Sequence, residues 1–163
     1  MELIEKLVKK IAEILKEELR GNLLGIVWYG SSVRGEFKKE SDVDFILILK
    51  KIKNISKVYE KLTRITHKKI FRIKEYLYFE KMGYLTYPSF YVMDLNEFKS
   101  HPPLLLDPVY EGKIVFERGR IISDEFEIIR KRLKELGSKK EKIFGDYYWI
   151  LKPGLRKGEI VEI

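Results

Sequence analysis

Cysteine is missing from the chain, which removes disulfides and thiolate metal sites together. The two histidines, His67 and His101, stand far apart and cannot assemble a zinc centre between them. Both read as surface residues. No apolar run nears the ~20 residues that a membrane-spanning helix needs. The opening stretch, MELIEKLVKK, mixes acidic and basic residues at helical spacing, unlike a signal peptide. Cytoplasm is the expected location, with no membrane partner. Glutamine is absent and alanine occurs only as Ala12. No repeat or low-complexity linker divides the chain, so residues 1–163 are expected to form one domain.

Lysine, glutamate and isoleucine are abundant. Lys and Arg number 33 against 25 Asp and Glu, a formal net charge of +8. Such a surface favours polyanionic partners, nucleotides or RNA among them. The same composition also suits a heat-adapted protein, so charge alone selects no partner. With 45% apolar and 36% charged residues, the chain has the make-up of a soluble protein able to close a core.

Residues 2–20 repeat apolar side chains every three or four positions, which predicts an amphipathic helix stopped at Gly21-Asn22. LLGIVWY at 23–29 and VDFILIL at 43–49 read as buried strands, with one helical turn expected at 31–36. Asn54 or Ser56 would cap a helix reaching about Thr66. Residues 68–82 are ambiguous and lean to helix. SFYVMDL at 89–95 predicts a third strand. A short helix and a short extended piece should follow the prolines at 102–103, and then a helix at 124–136, capped by Ser123 or Asp124. The aromatic tail YYWILKPG reads as a strand end packed on the core. This order of elements predicts a small α/β (α+β) domain with few strands.

Chemistry concentrates between Gly30 and Asp44. Strand side chains alternate, so Asp42 and Asp44 share one side, roughly 7 Å apart along the strand. Like charges placed so closely repel unless a cation lies between them. Gly30-Ser31-Ser32, after the first strand, is a turn where backbone can approach a phosphate. Paired carboxylates beside a phosphate cradle suit Mg²⁺, an oxygen-loving ion. Gly30 and Gly35 match the glycines of a P-loop, but Glu36 and Phe37 stand where lysine and Ser/Thr belong. That motif is excluded.

Gly30-Ser31, ten intervening residues and then Asp42-x-Asp44, with RGE at 34–36, resembles the minimal nucleotidyltransferases of the DNA polymerase β-like superfamily. The resemblance implies a nucleotidyltransferase fold, a small mixed sheet with helices packed on one face. The motif core would span about 20–100, with a C-terminal helix and aromatic tail at about 121–163. It also implies an enzyme that moves a nucleoside monophosphate, AMP by preference, from ATP or another NTP to a hydroxyl. Gly30, Ser31, Ser32 and Arg34 would bind the nucleotide, while Asp42 and Asp44 would ligate two Mg²⁺ ions. Family members include antitoxins paired with helical HEPN proteins, so an antitoxin-like partner role with weak or no catalysis is the alternative. The family carries a third carboxylate on the next strand, expected here near Ser89–Tyr91, where no acid stands. Either Asp94, later on the same segment, reaches that catalytic position by an unusual register, or the third ligand is missing.

Overall fold

A computed structural model describes residues 2–36, 38–84, 86–144, 146–156 and 158–163, with no side-chain description for Asp146. Helix α1 (Glu2–Leu19) buries Ile4, Leu7, Val8, Ile11, Leu15 and Leu19, the stripe its periodicity predicts. Strands β1 (Leu23–Tyr29) and β2 (Val43–Leu49) pair antiparallel, with Tyr29 opposite Asp44. Helix α2 (Ile55–Lys68) begins at Asn54, whose side chain accepts from Lys57 N at 3.0 Å. The ambiguous stretch resolves into a 3₁₀ turn at Ile70–Arg72 and helix α3 (Lys74–Lys81).

Strand β3 (Pro88–Asp94) returns parallel to β2 and is followed by the short helices α4 (Leu95–Lys99) and α5 (Leu106–Glu111). Strand β4 (Lys113–Glu117) pairs antiparallel with β1, giving the mixed sheet order β3-β2-β1-β4. Helix α6 (Ile121–Leu136) starts earlier than expected. Neither Ser123 nor Asp124 caps it; instead Glu117 accepts from Ile122 N at 3.0 Å and Ser123 N at 3.1 Å. A carboxylate from the preceding strand does the work of a local cap. The tail forms a separate two-stranded ribbon, β5 (Lys139–Ile143) with β6 (Asp146–Ile150).

Helices cover both faces of the main sheet, not one. Phe45, Leu47 and Leu49 join α1 and α2 in one core, while Ile46 and Ile48 join α4, α5 and α6 in the other. Alternation along a strand buried on both sides leaves no polar face to leave bare. Gly25 allows the second packing, because a side chain there would run into Ile122 of α6. Residues 31–35 form a turn closed by Glu36 N donating to Ser31 O at 3.1 Å, not a regular helix. His67 is exposed as expected. His101 is not: it is half-buried, bonded to Glu125 at 2.8 Å and to the Ile163 carbonyl at 2.9 Å. Among the described residues, no helix is long and apolar enough to cross a membrane.

Candidate active site

Asp44 occupies the first turn of β2 on the face shared with Ile46 and Ile48, and the sheet buries it halfway. Burial and the neighbouring Asp42 charge push its carboxyl above the usual carboxylate range. A hydrogen bond from Ser89 and the positive charge of Arg34 oppose that rise without cancelling it. Asp42, just ahead of the strand and exposed, accepts from Tyr87 N at 3.3 Å. Both aspartates thus stand at the amino end of β2, close enough for the Asp42 charge to be felt at Asp44.

Gly30 closes the notch from the β1 side. Its φ of +82° lies in the left-handed region, where a side chain is strained. A methyl group built there would collide with Asp44 Oδ2 and stand 3.2 Å from its Cγ. Only a residue without Cβ lets the phosphate-type turn abut the carboxylate. Ser31, next in the turn, is half-buried. Ser32 faces elsewhere: fully buried, its hydroxyl accepts from Trp28 Nε1 at 2.7 Å. That side chain pins the turn to β1 and is no longer free for a ligand.

Arg34 reaches the same region, and its charge is felt at Asp44. Its guanidinium also bonds Glu36 at 3.0 Å and Glu111 at 3.1 Å. Glu111 in turn holds Lys140, which pairs with Asp107 at 2.9 Å. Trp149 Nε1 donates to Asp107 at 2.8 Å and its ring stacks on Tyr110. Burial acts to raise the Asp107 carboxyl, but the bonds from Trp149 and Lys140 hold it below its ordinary range. The sequence pattern revealed neither Glu111 nor this network, because its members lie 29 to 77 residues apart. No local periodicity marks contacts of that kind.

Asp94 does not reach the site. The parallel register sets Asp94 opposite Leu49 and Ser89 opposite Asp44, so Asp94 lies five residues along the strand, on the order of 16 Å away. There it caps α4, accepting from Asn96 N at 2.9 Å and Glu97 N at 3.0 Å. The cap, not a ligand, is what its short carboxylate serves. Ser89 fills the place beside Asp44, and among the described residues no third His, Cys, Asp or Glu completes a metal-binding group. The donors present are hard oxygens whose like charge Ser89 and Arg34 relieve only in part, which fits Mg²⁺ bound by two carboxylates with phosphate oxygens and water as its other ligands.

A family model described as a nucleotidyltransferase domain matches residues 8–151. A relative from Methanocaldococcus jannaschii, provisionally named a protein adenylyltransferase, is 36% identical over 44 residues, 27% of this chain and 44% of the relative. The match thus spans less than half of that curated relative. The crystal structure of spectinomycin adenyltransferase from Enterococcus faecialis with ATP and spectinomycin is 16% identical, with a TM-score of 0.49 over 81% of this chain and 66% of its own. A crystal structure of a toxin–antitoxin with AMP-PNP is 16% identical, with a TM-score of 0.46 over 78% of this chain and 90% of its own.

Proposed function

We propose a nucleotidyl transfer reaction from one premise: the chain belongs to the nucleotidyltransferase domain family. The group moved is a nucleoside monophosphate, AMP by preference, and the donor is ATP or another NTP. A hydroxyl oxygen of the acceptor bonds to the α-phosphorus, the bond from that phosphorus to the bridging oxygen breaks, and pyrophosphate leaves with release of the hydroxyl proton. Asp42 and Asp44 would hold Mg²⁺, which when bound supplies positive charge opposite the phosphate oxygens. Gly30 and Ser31 present backbone N–H groups and one hydroxyl to the triphosphate tail. Arg34 adds a cation, provided that it loosens its bonds to Glu36 or Glu111.

The observation that carries this reading is the contact of the Gly30 turn with the Asp44 carboxylate. A phosphate cradle and a cation-seeking pair share one notch, which is the minimum that positioned phosphoryl chemistry requires. In the assay, α-labelled ATP with Mg²⁺ should release pyrophosphate and label a hydroxyl-bearing acceptor, and the Asp42→Asn, Asp44→Asn double variant should do neither.

Ser89 supports a second reading. With a hydroxyl where a third carboxylate would assist, the chain binds nucleotide but transfers it slowly or not at all, acting as an antitoxin-like partner of a HEPN protein. Losing a positioned base costs ~10²–10⁴ in rate. Mg²⁺-linked ATP binding by calorimetry, without label transfer, would favour this alternative. Absence of any nucleotide binding that depends on Asp42 and Asp44 would overturn both.

A further inference from the structure

The carboxyl end of β2 opens into a cavity of about 360 Å³, within the size range of small-ligand sites. Its floor is apolar, formed by Leu19, Leu49 and Val58, and its rim carries Lys51, Lys53, Lys57 and Lys61. Among the described residues, no acidic side chain lines it. None of the four lysines forms an ion pair with a carboxylate among the described residues, so their charges are concentrated here without an acidic side chain to offset them. Lys61 donates to the Glu18 backbone carbonyl at 2.6 Å, while the Glu18 carboxylate is committed to Lys69, also at 2.6 Å.

This concentration of charge is held in place. Asn22 bonds both the N–H and the carbonyl of Lys51, each at 3.1 Å, which pins the start of the loop. Asn54 fixes its other end by capping α2. Lys57 and Lys61 sit one turn apart on α2, an arrangement in which like charges cost stability unless an anion intervenes. An inorganic polyphosphate would make no use of the apolar floor, and an RNA strand would need a track of cations longer than this one cluster. A nucleotide uses both parts.

We infer that this cavity is a second nucleotide-binding site, with the base and sugar against Leu19 and Val58 and the phosphates among Lys51, Lys53, Lys57 and Lys61. It lies at the opposite end of β2 from Asp44, on the order of 16 Å along the strand. The assignment stands independently of the transfer reaction, because none of its residues belongs to the Asp42 and Asp44 notch.

The test uses the full chain carrying Asp42→Asn and Asp44→Asn, in EDTA, titrated calorimetrically with ATP, adenosine, inorganic triphosphate and a single-stranded RNA decamer. ATP should bind once per chain and more tightly than adenosine or triphosphate, and methyl resonances of Leu19, Leu49 and Val58 should shift. Adding Lys53→Glu with Lys57→Glu should weaken ATP at least tenfold. Should that variant fail to fold, Lys53→Gln with Lys57→Gln should still weaken it severalfold. No ATP binding, binding indifferent to these lysines, or methyl shifts confined to residues outside the cavity would overturn the site. RNA binding that outcompetes ATP would overturn the nucleotide assignment and leave a general polyanion surface.

Discussion

Opposite ends of β2 carry opposite imbalances of charge. At the amino end, exposed Asp42 and half-buried Asp44 bring two negative charges close, with Ser89 and Arg34 as incomplete relief. At the carboxyl end, four lysines rim a cavity that, among the described residues, no carboxylate lines. The two differ in how the cost is borne. Asp44 is half-buried, so water screens its charge less than it would in the open. The lysines are exposed except for Lys61, so water and salt soften their repulsion. The acidic notch should therefore be the more sensitive to substitution and to pH.

The largest expected effect breaks the acidic end. Replacing Asp42 and Asp44 by asparagine should lower transfer by at least about 10²–10³-fold, measured as pyrophosphate release, since clamps on a transferring group are worth that much. Gly30→Ala should follow closely. It places a methyl group against Asp44 in a left-handed backbone, so activity should collapse and thermal melts should show a loss of roughly 1–2 kcal/mol. Ser89→Asp asks whether the notch can be completed. A third carboxylate beside Asp44 should tighten Mn²⁺ binding, read by electron paramagnetic resonance, and raise transfer at saturating metal; unchanged Mn²⁺ affinity would mean that Ser89 does not face the metal.

A subtler contrast lies in pH. The folded-state pKa of Asp44 is raised, so protonated Asp44 favours the fold at low pH, and this contribution is lost as pH rises through the raised value. This window, above the ordinary carboxylate range, belongs to the metal-free protein, and a divalent cation held by Asp44 should pull the titration back down. Asp44→Asn should accordingly melt higher than the parent at neutral pH while being inactive, and the gap should close in acid. The smallest effect belongs to the basic end. Lys57→Gln removes one partner of a like-charged pair and should stabilise the fold by only about 0.2–0.5 kcal/mol, less in high salt. If both ends responded equally to neutralisation, the distinction between a buried and a solvated imbalance would fail.

Much of this was legible in the order of residues. Helix α1, strands β1, β2 and β3, the Asn54 cap and the pairing of Asp42 with Asp44 all follow from periodicity and local chemistry. The start of α6 was not, because its cap comes from Glu117 on another element. Asp94 misled for a related reason. Its nearness in sequence to the expected third ligand said nothing about register, and the parallel pairing of β2 with β3 placed Ser89 beside Asp44 instead. The Arg34–Glu111–Lys140–Asp107 chain and the lysine cavity were equally invisible, since each needs elements distant in sequence to meet.

By itself the order of amino acids determined the elements, the turn at Gly30 and the two-carboxylate notch, because these depend on contacts between near neighbours and on strand alternation. The fold alone decided which faces the helices cover, which residue stands beside Asp44, and that Ser32 turns inward to Trp28. Those outcomes depend on register and layer packing, where free energy is gained only once separate segments exclude water together.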